Sequence, residues 1–541
     1  MRMHYIKWIL LCMTVSSLAT AGVVYIPSGP ISGKWHEGDS IVVAPGVFVP
    51  SGEVLLIERD TRIFFEGSGR LEVEGVLTVQ GDAAAHVYIY SMDGWRGIRL
   101  HGSTGWHLLR YVEFSTEAGT ARQCIEVSDA GLDMRGCILN AAETSFRVNG
   151  GELHVQYNKF TTTHLYSKTV VLNGLDGFAS VDCEFAQGNI FRNNYLKAEV
   201  PALTPGQPTD PFSMTAGLWV DYSTNICLSS NDISVRAPLT VVGVRFGNTP
   251  EFGDQMWELD QATVYAESTT KLAIGVLNEV DGDLDVSRMT ITVRGAEGHL
   301  SSCFFATRTA YIRINSTTTV MGRPTDIYFN TSSAGRIDAD YLIKWTISGA
   351  TVSNRPSPLS DHQMISRVTL DDTEVNIGDS VWTANPRFAM IGEWGEWDTR
   401  EEIGAFFSLT EISPCIDRGD PELGMDPDNT RLDIGRYYYH QQGTQVGDLP
   451  ELVKTSVLGA AYPNPFNPTT VIPIELAHAG LLRVTVWDVL GRIVFESVQS
   501  VSSAGLQNVH FNAFGLSSGT YLAQAELNDE IIGSQRLLLV K

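Results

Sequence analysis

A short motif recurs along this chain and restricts its fold more than any other feature. In Leu153-His-Val155-Gln-Tyr-Asn158-Lys-Phe160, apolar residues occupy the first, third and eighth places, and asparagine occupies the sixth. Segments with related spacing start at residues 107, 132, 189, 226, 257, 284 and 312. The interval between starts varies from 21 residues (132 to 153) to 37 residues (189 to 226). Such a variable period is typical of a solenoid whose coils carry insertions.

The apolar-x-apolar steps of this motif have the period of a β-strand, and most of their residues are Val, Ile, Leu and Phe. More steps of this kind lie between the repeats, for example Ile125-Glu-Val127 and Phe146-Arg-Val148. About three short strands per coil, stacked in parallel at ~4.8 Å, would bury one continuous apolar column. The alternative is an antiparallel sandwich of repetitive hairpins, but hairpin signals such as Asn-Gly are rare here. The sequence therefore predicts an all-β chain that begins with a parallel β-helix solenoid.

The asparagine of the motif predicts a stacked row of side chains. Asn158, Asn194 and Asn231 fall in one position, and Cys137 occupies the same position in an earlier repeat. An asparagine at a tight bend can adopt strained backbone and hydrogen-bond its stacked neighbours. We expect Cys137 there to be a buried, inert thiol.

The first 21 residues resemble a signal peptide rather than part of the fold. Arg2 and Lys7 precede an apolar stretch, and Ala19-Thr-Ala21 forms a small-residue cleavage site. No later segment approaches the ~20 apolar residues that a membrane-spanning helix needs. We therefore predict an exported protein with no membrane-spanning segment.

The exported chain is strongly acidic. Without Arg2 and Lys7, 36 basic and 62 acidic residues give a net charge of −26. Residues 452–541 contribute about −1 of this, so residues 22–451 carry about −25. Such a surface repels nucleic acid, and it favours cations or neutral ligands. The need for solubility alone would also explain this acidic charge.

The last 80 residues predict a small β-sandwich. Six short strands follow the opening Asn464-Pro-Phe-Asn-Pro-Thr-Thr470, whose prolines exclude a central strand. This module resembles the type A C-terminal sorting domain of the type 9 secretion system, which is related to the immunoglobulin-like domain of flagellar hook-capping proteins. The resemblance lies in that opening, in Val486-Trp-Asp-Val-Leu-Gly-Arg492, in Leu516-Ser-Ser-Gly-Thr-Tyr521 and in the Leu-Leu-Leu-Val-Lys ending. It implies export across a Gram-negative outer membrane, with the outer-membrane secretion machinery as partner of residues 453–541, followed by release or surface attachment.

A second resemblance concerns the solenoid. The passage Ser413-Pro-Cys-Ile-Asp417-Arg-Gly-Asp420, continuing to Asp426-Pro-Asp428-Asn-Thr-Arg-Leu-Asp433-Ile-Gly435, resembles the closing segment of secreted right-handed parallel β-helix proteins of the pectate-lyase-like superfamily. We therefore expect four regions: a signal peptide (1–21), a right-handed β-helix passenger (22–440), a linker (441–452) and an immunoglobulin-like sorting domain (453–541).

Two clusters near the end of the passenger are candidate ligand sites. In the first, Trp394 and Trp397 could stack on a sugar ring while Glu393, Glu396 and Asp398 bond its hydroxyls. Packing of a C-terminal cap against the last coil also explains the tryptophans, because large aromatic side chains are usually mostly buried. We favour the cap.

The second cluster, Asp426, Asp428 and Asp433, is a candidate Ca²⁺ site because carboxylates and free loop carbonyls suit a hard cation. A further acidic run, Asp281-Gly-Asp283-Leu-Asp285, is better interpreted as a solvated strand edge. No cofactor is required by the sequence, and calcium is the one candidate.

The sequence contains no recognisable catalytic pattern. The polygalacturonase elements are broken or misplaced, since the only Asp-Asp pair, Asp371-Asp372, follows His299. No lysine is clustered in sequence with carboxylates as a lyase base would need, although a solenoid site can be assembled from different coils. We predict a secreted or cell-surface module that binds glycans or other cells without catalysis. The alternative is a carbohydrate-active enzyme, a polysaccharide lyase before a glycoside hydrolase.

Overall fold

The computed structural model describes residues 23–441 and 457–540, apart from some gaps. The gaps are 103–104, 117–119, 176–188, 204–208, 211–212, 224–225, 248–255, 280–282, 298, 300, 308–309, 323–326, 333–334, 347–373, 378–379, 391–393, 459–460, 462–463, 465, 477–479, 489–491, 502–504 and 529. The chain forms two compact units, which divide between Gln442 and Gly443. The predicted signal peptide lies outside the described residues, and so does Glu393.

The first unit is a parallel β-helix, as predicted. Its described residues form 36 strands, which pair in parallel with strands of the neighbouring coils, so each coil contributes in turn to three sheets, A, B and C. The long strands Ala121–Arg135 and Ile138–Gln156 continue from one sheet to the next.

Sheet A consists of Val23–Ile26, Ser40–Val43, Arg62–Phe65, Val87–Ser91, Val112–Ser115, the start of Ile138–Gln156, Lys159–Thr162, Tyr195–Glu199, Asp232–Ala237, Thr263–Ser268, Thr290–Arg294, Thr317–Met321, Leu342–Thr346 and Val381–Thr383. Sheet B consists of Gly29–Pro30, Val47–Val49, Leu71–Val73, Ile98–His101, the middle of the two long strands, Lys168–Asn173, Thr215–Asp221, Val241–Phe246, Ala273–Asn278, Ser302–Thr307 and Ile327–Ser332. Sheet C consists of Gly33–Trp35, Val54–Glu58, Val76–Gln80, His107–Arg110, the ends of the two long strands, Asn189–Arg192, Ile226–Ser229, Met256–Asp260, Asp283–Ser287, Tyr311–Asn315, Arg336–Ala339 and Glu374–Ile377.

The repeat motif marks the passage from sheet C to sheet A in successive coils. The first residues of neighbouring repeats are paired, for example His107 with Leu132, Leu132 with Leu153, and Leu284 with Ile312. The apolar places of the motif point into the coil: Val155 and Phe160 are completely buried in the central core. The sequence register is therefore confirmed.

The bends between sheets C and A contain the predicted asparagine row. The Nδ2 of Asn158 donates to the Oδ1 of Asn194 at 3.0 Å, and the Nδ2 of Asn194 donates to the Oδ1 of Asn231 at 3.2 Å. The Oδ1 of Asn158 accepts the backbone N–H of Cys137 at 2.9 Å. Burial raises the pKa of the Cys137 thiol to about 12, which keeps it protonated and unreactive.

We expected the asparagine of each bend to adopt the strained backbone, and this was wrong. The left-handed backbone of each bend belongs to the residue before the asparagine position, as in Tyr157, Asn193 and Ser230 with φ of 59°, 56° and 56°. The asparagines supply hydrogen bonds, not the strained conformation.

The end of the first unit folds back along the outer face of sheet A. This segment, residues 384–441, is called the strap. It contains the helix α1 (Arg400–Phe407), which begins with a capping box formed by Thr399 and Glu402, and a 3₁₀ turn at Pro421–Leu423. Its apolar side chains form a second core with the outward-facing residues Tyr195, Tyr265, Val320, Ile343 and Trp345 of sheet A. Several strands of sheet A are therefore buried on both faces.

The second unit contains two antiparallel sheets. One consists of Val457–Leu458, Thr469–Leu476 and Gly505–Asn512, and the other of Ile493–Val501, Gly480–Trp487, Gly519–Leu527 and Glu530–Leu539, each in spatial order. Side chains of both sheets share one core, which includes Ile472, Ile474, Val484 and Val486. Four of the six strands predicted from sequence lie within these strands, and the other two, predicted to end at Asp488 and Val540, each extend one residue too far.

Candidate functional site

The tryptophans proposed to bind sugar lie in the core under the strap. Trp397 is 1% exposed, and Trp394 is half-buried. Both rings contact Tyr265 of sheet A, with centroids 5.2 Å and 6.4 Å away, and both pack against Phe406 of α1. Gly395, with φ of 78°, permits this arrangement, because a Cβ there would lie 2.7 Å from the Tyr265 ring. The packing is against the side of the solenoid, not against the last coil as we expected of a cap.

The acidic residues beside these tryptophans bind basic side chains of sheet A. The exposed Glu396 lies 3.7 Å from the guanidinium of Arg236. Asp398 accepts from the Nζ of Lys197 at 2.9 Å, and its backbone carbonyl accepts from the Nζ of Lys159 at 2.8 Å. These contacts attach the strap to the solenoid. They account for Trp394, Trp397 and Glu396 without a ligand.

The three aspartates proposed to bind calcium are each used by backbone hydrogen bonds. Asp433 accepts the N–H groups of Asp417 and Tyr439, both at 2.7 Å. Asp426 accepts the N–H of Asp433 at 2.8 Å. Asp428 accepts the N–H of Gln441 at 2.7 Å. The carboxylates therefore fold the end of the strap into its loops.

No group of three or more His, Cys, Asp or Glu side chains within the described part of the chain is arranged to hold a metal ion. The calcium site at Asp426, Asp428 and Asp433 stays a prediction. At the other acidic run, Asp281 lies outside the described residues. Arg313 pairs with Asp285 and lies 2.7 Å from Asp283, which offsets part of their charge at an ion-paired strand edge.

A cleft of about 490 Å³ lies beside these aspartates. One wall is formed by Gln261 and Arg288, which occupy bends between sheets C and A, and the opposite wall by the strap. The strap contributes these lining residues: Ser408, Met425, Asp426, Pro427, Leu432, Asp433, Gly435, Arg436, Tyr437 and Tyr438. The volume falls in the usual range of small-molecule sites, about 300–1,000 Å³. This cleft is the candidate functional site.

The strap is held against the bends by specific contacts around the cleft. The N–H of Gly435 donates to the carbonyl of Ser316 at 2.8 Å, and the N–H of Arg436 donates to the hydroxyl of Thr290 at 3.1 Å. Gly435 has φ of 112°, and a Cβ there would lie 2.8 Å from the Thr318 hydroxyl. Glycine is therefore required where the strap approaches sheet A.

The cleft combines hydrogen-bond donors, acceptors and an accessible aromatic ring. Arg288 pairs with Asp260, its Nε donating at 2.8 Å, and Arg436 lies 3.8 Å from Asp232. The buried Nε of Arg436 has no hydrogen-bond partner among the described residues. Tyr438 is 41% exposed. Such a lining can accept a hydroxyl-rich ligand.

The two aspartates of the cleft have raised pKa values. Burial raises the pKa of Asp433 to about 7, against the effect of its backbone hydrogen bonds, and the charges of Asp426 and Asp417 add to the increase. Burial likewise raises the pKa of Asp426 to about 6. Hydrogen bonds from Gln441 and Thr430 lower the pKa of Asp428 although burial opposes them. Neighbouring carboxylates of the loop thus differ in protonation near pH 6.

Sequence reasoning missed the cleft and most of its residues. Arg288 and Gln261 lie far from residues 425–438 in the chain, and the strap alone brings them together. The one signal in sequence is the acidic passage 426–433, which predicts a cation site and resembles the closing segment of a β-helix, but does not indicate a cleft.

The second unit has a tyrosine typical of small β-sandwiches. The hydroxyl of Tyr521 donates to the carbonyl of Ser517 at 2.7 Å, a bond from a strand back to the preceding turn. Within the described residues, no helix is long and apolar enough to cross a membrane.

Comparison with known families identifies the second unit. Residues 460–539 match the secretion system C-terminal sorting domain family. This domain supports export by the type 9 secretion pathway, to the cell surface or the medium, and implies interaction with the secretion machinery. No curated protein matches the chain, and no solved structure does. The match does not reach the passenger, so its resemblance to the pectate-lyase-like superfamily stays a prediction.

Proposed function

We propose that the exported β-helix binds a neutral saccharide of a glycan or cell surface in the cleft, without catalysis. The observation that carries this proposal is the 490 Å³ cleft itself, in which an exposed tyrosine faces carboxylates and guanidinium groups. Tyr438 offers an apolar ring with a polar tip, and Asp426, Arg288 and Arg436 offer hydrogen bonds. Both acidic and basic side chains line the cleft, which suits uncharged hydroxyls better than an ion.

The net charge of about −25 on residues 22–451 supports a neutral ligand. A polyanion approaching this surface is repelled, and its on-rate falls. Export to the cell surface or medium places the cleft where glycans are available.

A glycan array followed by calorimetry tests the proposal. The full chain should bind one neutral glycan class, and Tyr438→Ala should weaken binding at least tenfold because the ring contact is lost. Tyr25→Ala is the matched control, since Tyr25 is 57% exposed and lies on the first strand. Equal affinity of the wild type and Tyr438→Ala, or no binding to any glycan, contradicts the proposal.

The alternative is a carbohydrate-active enzyme, and the raised pKa values of Asp433 and Asp426 favour a hydrolase. A carboxylic acid that is still protonated near pH 6 can donate a proton to a leaving group. However, both oxygens of Asp433 accept backbone N–H groups, and its side chain is 2% exposed. We therefore expect no release of reducing ends from neutral glycans, and no unsaturated products from pectate or alginate, with or without calcium. Sustained product release at catalytic protein concentrations would establish the enzyme alternative.

A further inference from the structure

The outer face of sheet B carries a row of side chains contributed by successive coils. Strand pairing places Arg99, Glu126, Arg147, Val171, Trp219 and Arg245 next to one another in that order. These residues are separated by up to 48 positions in the chain, as Val171 and Trp219 are. The row is on a different sheet from the strap and its cleft.

Several cations of this face have carboxylate partners. Arg70 and Arg99 lie 2.9 Å and 3.6 Å from Glu126. Arg245 lies 2.9 Å from Asp221 and 2.5 Å from Glu279. These charges are therefore compensated within the protein.

Lys168 and Arg147 differ from these paired cations. Among the contacts of the described residues, neither side chain has an ion pair or a hydrogen bond. Lys168 extends over the indole of Trp219, with its Nζ 3.6 Å from the ring centroid. Arg245, from the following coil, lies 3.9 Å from the same ring, and the indole N–H donates to Asp221 at 2.5 Å. Trp219 is thus held on several sides, and it fixes the position of the Lys168 ammonium.

Cations outnumber carboxylates among the charges that act on Lys168. Burial lowers its pKa, and the charges of Arg245 and Arg147 lower it further, while Asp221 raises it. Two half-buried cations that form no ion pair within the described part of the chain are unexpected in a passenger with a net charge of about −25. A bound anion would compensate them.

We propose that Arg147 and Lys168 bind one oxyanion, a carboxylate, sulfate or phosphate group of an external ligand, on the outer face of sheet B. The guanidinium of Arg147 supplies a planar donor fork, and the ammonium of Lys168 supplies a fixed point charge. Asn149 and Asn173 lie on the adjacent outward row and are linked by a hydrogen bond of 3.2 Å. The site is independent of the saccharide cleft.

Thermal unfolding of the full chain tests the site with inorganic anions. Sodium sulfate and sodium phosphate are compared with sodium chloride at equal ionic strength. Because sulfate stabilises proteins generally by exclusion from their surface, the informative quantity is the difference between variants. The wild type should gain at least ~2 °C more in Tm than Lys168→Met, since specific binding stabilises the folded state. Lys34→Met, which breaks an exposed ion pair with Glu58, is the matched control and should behave as the wild type.

Calorimetry with glucose 6-sulfate, glucose 6-phosphate and glucuronate identifies the anion. At least one should bind, and Lys168→Met and Arg147→Gln should each weaken it at least tenfold, whereas Tyr438→Ala should not. The pKa of Lys168, followed by NMR of the lysine ammonium, should rise when that ligand is added. Failure of all three compounds to bind, or equal binding by wild type and both variants, would overturn the proposal.

Discussion

At the scale of single residues, three bends between sheets C and A combine a strained residue (Tyr157, Asn193 or Ser230) with a buried asparagine. A non-glycine residue in left-handed backbone costs about 1–2 kcal/mol. At Tyr157 and Asn193 this cost is offset by the next residue, Asn158 or Asn194, whose amide bonds the coils on both sides. The bend therefore depends on stacking and would not be stable in an isolated coil.

The core register is tested by charging one inward-facing residue. Val155→Asp should lower the free energy of unfolding by at least ~3 kcal/mol, because a buried carboxylate there has neither water nor a partner. His154→Asp places the same side chain at a half-buried, outward position and should cost much less. Apparent Tm values of the two variants measure the difference. Equal losses would show that the register is wrong.

The raised pKa of Asp433 predicts that the stability of the folded chain depends on pH. Its pKa is about 7 in the folded state and 3.8 as its ordinary value, so between these values the folded state binds more protons. The free energy of unfolding should therefore fall as pH rises from about 4 to about 7, by up to ~4 kcal/mol. Asp433→Asn should remove most of the decline between pH 6 and 7, and Asp426 should account for part of the decline below pH 6.

Thermal unfolding at pH 5, 6, 7 and 8 measures this dependence. Asp428→Asn is the control, because the pKa of Asp428 is lowered and its contribution is already complete above its ordinary value of 3.8. An unchanged slope in Asp433→Asn would contradict the assignment.

At the scale of elements, the strap covers the apolar outer face of sheet A, which the solenoid alone would leave exposed. Helix α1 has eight residues, too few to be stable alone in water. It persists because Ile403, Phe406 and Phe407 are buried against sheet A and because its N-terminus is capped. The strap also completes the cleft, so its docking controls the candidate site.

Arg400 is expected to be the main polar anchor of the strap. Its guanidinium binds Asp232 at 2.7 Å and the carbonyls of Asn193 and Ser230 at 2.9 Å and 2.8 Å. Arg400→Met should leave the buried Asp232 with only the weaker contacts of Arg436 and Tyr437, and should destabilise the strap by roughly 3 kcal/mol. Limited proteolysis should then cut within residues 384–441 well before the solenoid. Glu401→Met, in the exposed first turn of α1, should leave the cleavage rate nearly unchanged.

At the scale of the whole molecule, the two units have separate cores. The central core and the strap core contain residues of the first unit only, and the sorting domain has its own core. Export information and the candidate binding sites thus lie in different units.

Deletion of residues 453–541 should separate export from folding. The passenger should keep its Tm because no residue of its cores is lost, but it should remain in the periplasm. Fractionation of cells and thermal unfolding of the recovered protein measure the two effects. Normal surface levels of the truncated protein would contradict the sorting role, and loss of folding would contradict the independence of the cores.

Local spacing along the chain was enough to predict the solenoid, its register and the sorting domain. Inward-facing residues repeat with a fixed local spacing, as in Val155 and Phe160, so the pattern can be read within one coil. The asparagine row was predictable for the same reason. The strands of the sorting domain could be located because its turns and strands are local and its motifs are specific.

The places where functional groups meet could not be predicted in this way, because they depend on long-range folding. Arg288 and Asp426 line one cleft although 138 positions separate them, and the stacking of coils places Arg147 beside Val171, on the strand that begins at Lys168. The sequence left two roles open for Trp397, because a buried tryptophan and a sugar-binding tryptophan cannot be distinguished in sequence. In the structure, the strap packs on Tyr265 and buries Trp397. The physical reason is that inward positions follow a local periodicity, whereas outward contacts depend on the lengths of insertions and on how a distant segment folds back.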